Sequence, residues 1–388
     1  WDIARRLDIA GTIDRHCPKR SQGASVGQYI VTEAVNRAVA PVSTSSIRDW
    51  YSHTALPLAT GLPSGLFTAQ DFWNNTDIPE SALGDIEEDI LASVLKTYGI
   101  GTGDIIYDAT NFFTFIDTGN PCALARRGHD KAKRNDLRTV GLAMMVTPDF
   151  SVPLLSEAYP GNSPDSKEFA VMMGGLRKRI ERIAGKDVSV TVVFDRGNGS
   201  ESNLDLLGDK DIPFHYVTGL KRNQSDALFA IGKGEYKGLE GEELKGQSAC
   251  RREDYEAFGR KGTALIVHNP ALRDGQMQGI LINIGKTTER LVGIQSRLLD
   301  RASGKTKGGK KPTTESVASA VGKVLKTEYM GRIFSFQVVS QDGNPLLTFS
   351  KSDSELERLD DAELGKTVLF TDRKDLSDEQ IVLDYRSA

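Results

Sequence analysis

The segment Thr191-Val192-Val193-Phe194-Asp195-Arg196-Gly197-Asn198 constrains the fold more than any other stretch of the chain. Consecutive β-prone apolar residues read as a strand buried on both faces. Such a strand cannot hold a carboxylate in its middle, but it can hold one at its end, where the sheet opens. Asp195 takes that place, and glycine follows for a turn. Ile105-Ile106-Tyr107-Asp108-Ala109-Thr110-Asn111 repeats the pattern and predicts a strand over 105–108 that ends in Asp108. One aspartate of this kind is commonly only a turn residue. Two in matching contexts also read as oxygen ligands for a hard divalent ion, Mg²⁺ or Mn²⁺.

Around these two strands the chain changes texture several times. Residues 1–98 read as mainly helical, with Ile30, Ala34, Val35 and Ala38 at helical spacing and Trp50, Phe67, Phe72 and Trp73 expected in the core. Ile86, Ile90, Leu91, Val94 and Leu95 predict an amphipathic helix over 81–98 that stops near Gly99. After 105–108, the residues Phe112, Phe113 and Phe115 either extend the strand or open a hairpin, and they read as core rather than as base-stacking groups. Strands are predicted over 139–146, 152–158, 188–194 and 212–217. A helix lies before the fourth strand, with Phe169, Met172, Met173, Leu176, Ile180 and Ile183 on its apolar face, and a short one lies before the fifth. Three strands, a helix, a strand, a helix and a strand imply a mixed sheet covered by helices. If the first and fourth strands lie side by side, their ends can share a metal.

Beyond Asn223 short strands are expected at 263–268, 279–284 and 291–296, and a hairpin over 332–350 turns at Asp342-Gly343. Residues 223–352 therefore read as a β-rich insertion. Strand 367–371 ends in Asp372, and Ser377 with Gln380 forms a capping box that starts a last helix. The expected division is 1–98 (helical), 99–222 (first part of the mixed sheet), 223–352 (β-rich insertion) and 353–388 (return to the sheet, with the last helix).

The 388 residues carry a net charge of −4 and ordinary shares of hydrophobic (39%) and charged (26%) residues, which fits a soluble globular chain of two or three domains. Three dispersed cysteines and five scattered histidines favour neither a disulfide framework nor a zinc site. A modest net charge does not exclude nucleic acid, because binding needs only a local basic face. Arg126, Arg127, His129, Lys131, Lys133, Arg134 and Arg138 form one candidate face, and Lys305, Lys307, Lys310 and Lys311 another; either also reads as a solvated loop. Arg196 and Asn198, beside Asp195, are candidates for phosphate contact or plain turn residues. No segment is long and apolar enough for a membrane helix, and the dispersed cysteines fit a reducing cytosol.

Several segments resemble the bacterial insertion-sequence DDE transposases of the IS-four-like group. They are Tyr107-Asp108-Ala109-Thr110-Asn111, Tyr159-Pro160-Gly161-Asn162 with Asp165-Ser166-Lys167, Phe194-Asp195-Arg196-Gly197, Arg15 to Arg20 with Ser25-Val26-Gly27, and Thr371-Asp372 to Tyr385-Arg386-Ser387. The resemblance implies an RNase H-like α/β fold with a β-rich insertion, and Asp108 and Asp195 as two catalytic, metal-binding acids. It implies Mg²⁺, replaceable by Mn²⁺, and partners that are transposon terminal inverted repeats and target DNA, bound by a homodimer. Arg126, Arg127, Lys131, Lys133, Arg134 and Arg196 are the expected DNA contacts. The third acid of the family is a glutamate in a Y-x-x-R-x-x-x-E signature. Tyr385 would begin that signature, Ala388 stands where its arginine is usual, and the chain ends before the glutamate. The expectation is a chain cut short at both ends, whose strand cleavage is doubtful. A non-catalytic DNA-binding remnant is the main alternative. An aspartyl phosphohydrolase is a weaker one, since Thr110 stands where its second aspartate belongs.

Overall fold

The structure is a computed structural model that describes residues 1–17, 23–128, 134, 136–184, 189–208, 214–306 and 308–387. It divides into two units, residues 1–193 with 202–215, and residues 194–201 with 216–387. The class is α/β, a mixed sheet flanked by helices.

The first unit opens with α1 (Asp2–Arg6), α2 (Ile9–His16), α3 (Val26–Val39), α4 (Ile47–Ser52), α5 (Leu56–Thr60), α6 (Ala69–Asn75) and α7 (Glu80–Tyr98). Ser25 and Gln28 close a reciprocal capping box at the start of α3, and Gly99 ends α7 in the left-handed region at φ 65°. Tyr29, Tyr51, Phe67 and Phe72 form the aromatic core of these helices, with Tyr29 edge-on to Phe67 and Phe72 at centroid distances of 5.5 and 5.1 Å. Trp50 packs against the rim of that core. Trp73 does not join it: one position after Phe72 on a helix, it faces away and is 75% exposed.

The sheet of this unit contains β1 (Asp104–Thr114), β2 (Arg138–Val146), β3 (Pro153–Pro160) and β4 (Val190–Phe194), in the order β3-β2-β1-β4. β1 to β3 form an antiparallel meander, α8 (Asp165–Ala184) crosses over, and α9 (Glu201–Leu207) leads to β5 (Phe214–Gly219). Every residue of β4 is buried, as the apolar run predicts, and Thr191 donates its amide to the Gly103 carbonyl at 2.8 Å. The expected first residues of this strand and of β5, 188 and 212–213, lie outside the described residues. Phe169, Met172, Met173, Leu176 and Ile180 line the buried side of α8. Its arginines are partly structural. Arg179 is buried and donates to the Leu154 carbonyl (2.8 Å), the Gly84 carbonyl (3.3 Å) and Glu87 (3.1 Å), while Arg177 stacks on Phe214.

Two expectations for this region need correcting. β1 does not stop at Asp108; of the two readings of the residues after it, extension of the strand holds, for six residues, because β2 pairs with it from Ile106↔Val146 through Thr114↔Arg138. Asp108 therefore sits within a strand, opposite Met144. The aromatic residues after it are not core. Phe112 and Phe113 in the last residues of β1 and Phe115 just after it are 54, 40 and 78% exposed.

Arg138 also departs from its expected place on a basic face. It is buried at the start of β2 and spends its guanidinium on four main-chain carbonyls: Ala125 (2.6 Å), Asp117 (2.8 Å), Cys122 (2.9 Å) and Asn120 (3.0 Å). No other side chain offers so many donors in one plane. The loop 115–126 is folded around this cation, and Arg126 closes it with a bridge to Thr139.

The second unit holds α10 (Arg222–Phe229), β6 (Lys237–Gly238), β7 (Ser248–Ala257), β8 (Arg260–His268), α11 (Pro270–Ala302), α12 (Thr314–Val324), α13 (Met330–Ile333), β9 (Phe334–Gln341), β10 (Asn344–Lys351), α14 (Asp353–Ala362), β11 (Lys366–Thr371) and α15 (Asp378–Ser387). Its sheet runs β5-β11-β8-β7-β6 with antiparallel pairs, and β9 and β10 form a separate hairpin. The hairpin turns at Asp342-Gly343, both at positive φ (50° and 73°), which is the predicted two-residue geometry. The strands expected at 279–284 and 291–296 are instead parts of α11. Met277, Ile280, Ile284, Leu291, Ile294 and Leu298 recur at helical spacings of three, four and seven residues, with buried Thr287 in the gap, and pack into one core with α12 to α14 and the hairpin. Short apolar runs between Gly275, Gly279, Gly285 and Gly293 imitate strands. The overlooked start signal is Asn269-Pro270, where the asparagine side chain accepts from the amides of Ala271 (3.0 Å) and Leu272 (3.3 Å).

Replacing Arg138 by Leu should leave four carbonyls, one buried and three part-buried, without their donor. A loss of about 3–5 kcal/mol is expected. Hydrogen exchange should show it first as lost protection in β2 and in residues 115–126, with thermal unfolding lowered as a whole.

Candidate functional site

In the first unit, Asp108 is exposed on a strand whose neighbours Tyr107 and Ala109 are buried. Its Oδ1 accepts the amide of Ala109 at 2.9 Å. That bond fixes the carboxylate and leaves the remaining lone pairs directed outward. Arg126 and Arg127 are exposed on the bridged segment beside β2, and Arg134 pairs with Asp136 at 2.7 Å. The Arg134 hydrogen bonds hold the Asp136 carboxyl down at about 2. Lys131 and Lys133 lie outside the described residues.

In the second unit, Asp195 is exposed directly after β4 and repeats the arrangement: its Oδ1 accepts the amide of Arg196 at 2.7 Å. The Tyr385 hydroxyl donates to the same oxygen at 3.2 Å. Tyr385 comes from α15, which is tied down at both ends. At its start Ser377 and Gln380 make the predicted capping box, and Arg251 reaches the carbonyls of Leu376 (3.0 Å) and Lys374 (3.1 Å) and the Asp378 carboxylate (2.9 Å). At its other end Arg386 donates to the Glu243 carbonyl at 3.1 Å and to the Gln247 side chain. Burial first, then the negative charge of Asp195, pushes the Tyr385 phenol up to about 12, so it is a neutral donor across the physiological range.

Gly219 at the end of β5 makes room for this contact. A Cβ there would stand 2.7 Å from the Tyr385 Oη and 3.1 Å from the Arg196 Cβ. Arg196 is exposed; Asn198 is buried, with its main-chain amide donating to the Asp195 carbonyl at 3.0 Å, and serves the turn. Asp372 is also a structural residue, since its carboxylate accepts the Tyr216 amide at 3.0 Å. The sequence carried Tyr385 only as the opening of a family signature, and nothing in it marked Gly219.

The donor type at both aspartates suits a hard divalent cation: each is an exposed, oriented carboxylate. Among the described residues, no group of three or more His, Cys, Asp or Glu gathers to hold a metal ion. Among them, too, no helix is long and apolar enough to cross a membrane.

Tyr385→Phe should remove a phenol that ionises at about 12, visible as one lost step in the ultraviolet titration of the ten tyrosines. The folded value lies above the ordinary 10.0, so the stability this group contributes is complete below pH 10 and is lost as pH rises towards 12. Gly219→Ala should shift the same step towards its ordinary value by pushing the phenol off Asp195. An unchanged titration in both variants would contradict the contact.

No family model and no curated protein matches the chain. Among solved structures, it is similar to the piggyBac transposase synaptic complex with hairpin DNA, at 11% identity and a TM-score of 0.36, over 69% of this chain and 57% of that one. It is also similar to the Mos1 transposase paired-end complex with the left transposon end (11% identity, TM-score 0.20, 51% of this chain and 61% of that one). The Mos1 mariner paired-end complex with Mn gives 11% identity and a TM-score of 0.21 over 55% and 66%. The chain thus spans less than two thirds of the length of each of these proteins.

Proposed function

We propose that this chain is a DNA transposase of the insertion-sequence type, which binds transposon ends and target DNA and acts in strand cleavage and transfer. The observation that carries the reading is the placement of the two aspartates. Asp108 is borne by β1 and Asp195 follows β4 in the chain, and β1 and β4 are neighbouring strands of the sheet. Both carboxylates are exposed and both are oriented by the amide of the next residue. The motifs resembling the insertion-sequence DDE group surround these positions.

In this reading Asp108 and Asp195 are two of the acids that hold a divalent cation, Mg²⁺ with Mn²⁺ as a substitute. When bound, the cation supplies charge neutralisation at the phosphate and activates the attacking oxygen. The residues of the chain do the rest. The Ala109 and Arg196 amides orient the carboxylates, Tyr385 restrains Asp195, and Arg126, Arg127, Arg134, Arg196, Lys131 and Lys133 neutralise phosphates. The active assembly on DNA is a homodimer.

Asp108→Asn and Asp195→Asn should each abolish metal-dependent nicking of end-containing DNA while leaving its binding within about threefold. Replacing Arg126 and Arg127 together by alanine should weaken binding and reduce the slope of log affinity against log salt by about two. Cleavage retained in Asp195→Asn would defeat the catalytic assignment. Binding without cleavage in the unaltered chain would identify a DNA-binding remnant.

A further inference from the structure

The aromatic residues beyond Asp108 have no place in the chemistry above. Phe113 and Phe115 lie edge-to-face with centroids 5.9 Å apart, on a strand end where both stay exposed. Two large rings left in water at the end of a central strand call for a partner. The Arg134 guanidinium already stands over the Phe113 ring, 5.5 Å from its centroid. Phe113 is registered opposite Thr139, and Thr139 is bridged on its other side to Arg126, so Arg126 lies two strand spacings from Phe113, about 10 Å. Arg127 follows it. The patch thus sets two exposed rings beside the Arg134 guanidinium, with the exposed Arg126 and Arg127 on the next segment.

This composition selects the occupant. A protein or lipid surface is met by apolar area; here the apolar part is two rings, and the border holds Arg126, Arg127 and the Arg134–Asp136 pair, whose guanidinium still faces the Phe113 ring. A duplex hides its base faces, whereas an unpaired nucleotide presents one to an aromatic ring and keeps its phosphate for an arginine. We infer that Phe113, Phe115 and Arg134 form a stacking platform for an unpaired nucleotide of DNA, with Arg126 and Arg127 taking the adjoining phosphates. The choice of DNA rests on the proposed function. The Arg138 clamp, which shapes the loop 115–126, holds the arginine segment in register with the rings.

The test is fluorescence anisotropy of the full chain with a short labelled oligothymidylate and, separately, with a duplex of random sequence. Replacing Phe113 and Phe115 together by alanine should lower affinity for the oligothymidylate by about 10- to 100-fold. Duplex affinity should change by less than about twofold, and the salt slope should stay the same. The Phe113→Tyr, Phe115→Tyr variant keeps both rings and should retain binding, which separates stacking from misfolding. The platform is overturned if the unaltered chain does not bind oligothymidylate, if the alanine variant binds it equally well, or if both probes weaken together. Adsorption to anionic vesicles that depends on the two rings, without a loss in oligothymidylate binding, overturns it as well. Cleavage and duplex binding report separately on the transposase reading. A chain that neither cuts nor binds duplex, yet loses oligothymidylate affinity in the alanine variant, keeps the platform and sinks that reading.

Discussion

A strand covered on both faces has nowhere to put a charge except beyond its last residue. β4 obeys this completely: five buried residues, then Asp195. The desolvation cost of a buried carboxylate, several kcal/mol even after relaxation, makes the alternative untenable. The position of one candidate catalytic acid is therefore a by-product of core formation. Asp108 shows the other solution. It stays within a strand, but on a register position whose side chain is left to solvent while its neighbours on both sides are buried. The two acids reach water by different routes, and both are then oriented by the amide of the residue that follows.

Arginine has a second and opposite part in the architecture. Arg138, Arg179 and Arg251 carry positive charge into places where the chain has carbonyls to satisfy. Each substitutes one planar array of donors for secondary structure that a loop or a helix end lacks. Counting basic residues along the chain cannot separate these from phosphate-binding arginines. A carbonyl-clamping arginine and a DNA-contacting one have the same sequence neighbourhood, and only burial tells them apart. Of the cluster around residues 126–138, the last member turned inward and Arg126, Arg127 and Arg134 remained accessible in differing degrees.

Legibility followed the range of the forces involved. Signals confined to a few neighbours were readable: the β4 run, the left-handed stop at Gly99, the Asp342-Gly343 turn and the Ser377–Gln380 capping box all stand where the sequence placed them. What depended on partners distant in the chain was not. The extension of β1 past Asp108 comes from β2, which pairs along its whole length. The Tyr385–Asp195 contact joins residues 190 positions apart and needs a glycine at 219 that has no local motif. In α11 both readings had local support, and the strand reading lost because a capped start and an apolar stripe at helical spacing outweigh short β-like runs.

The glycines of α11 tie its stability to its surroundings. Gly275, Gly279 and Gly285 would meet nothing within 4 Å if they carried a Cβ, so no close approach explains them. Each costs the helix about 1 kcal/mol relative to alanine. A 33-residue helix with this handicap has little tendency to persist before its stripe is covered. Its helicity must arise together with the core shared by α12, α13, α14 and the β9–β10 hairpin. The stability of this 33-residue helix therefore rests on its neighbourhood, and a change that loosens the hairpin bears on the stretch from Met277 to Leu298 that packs against the shared core.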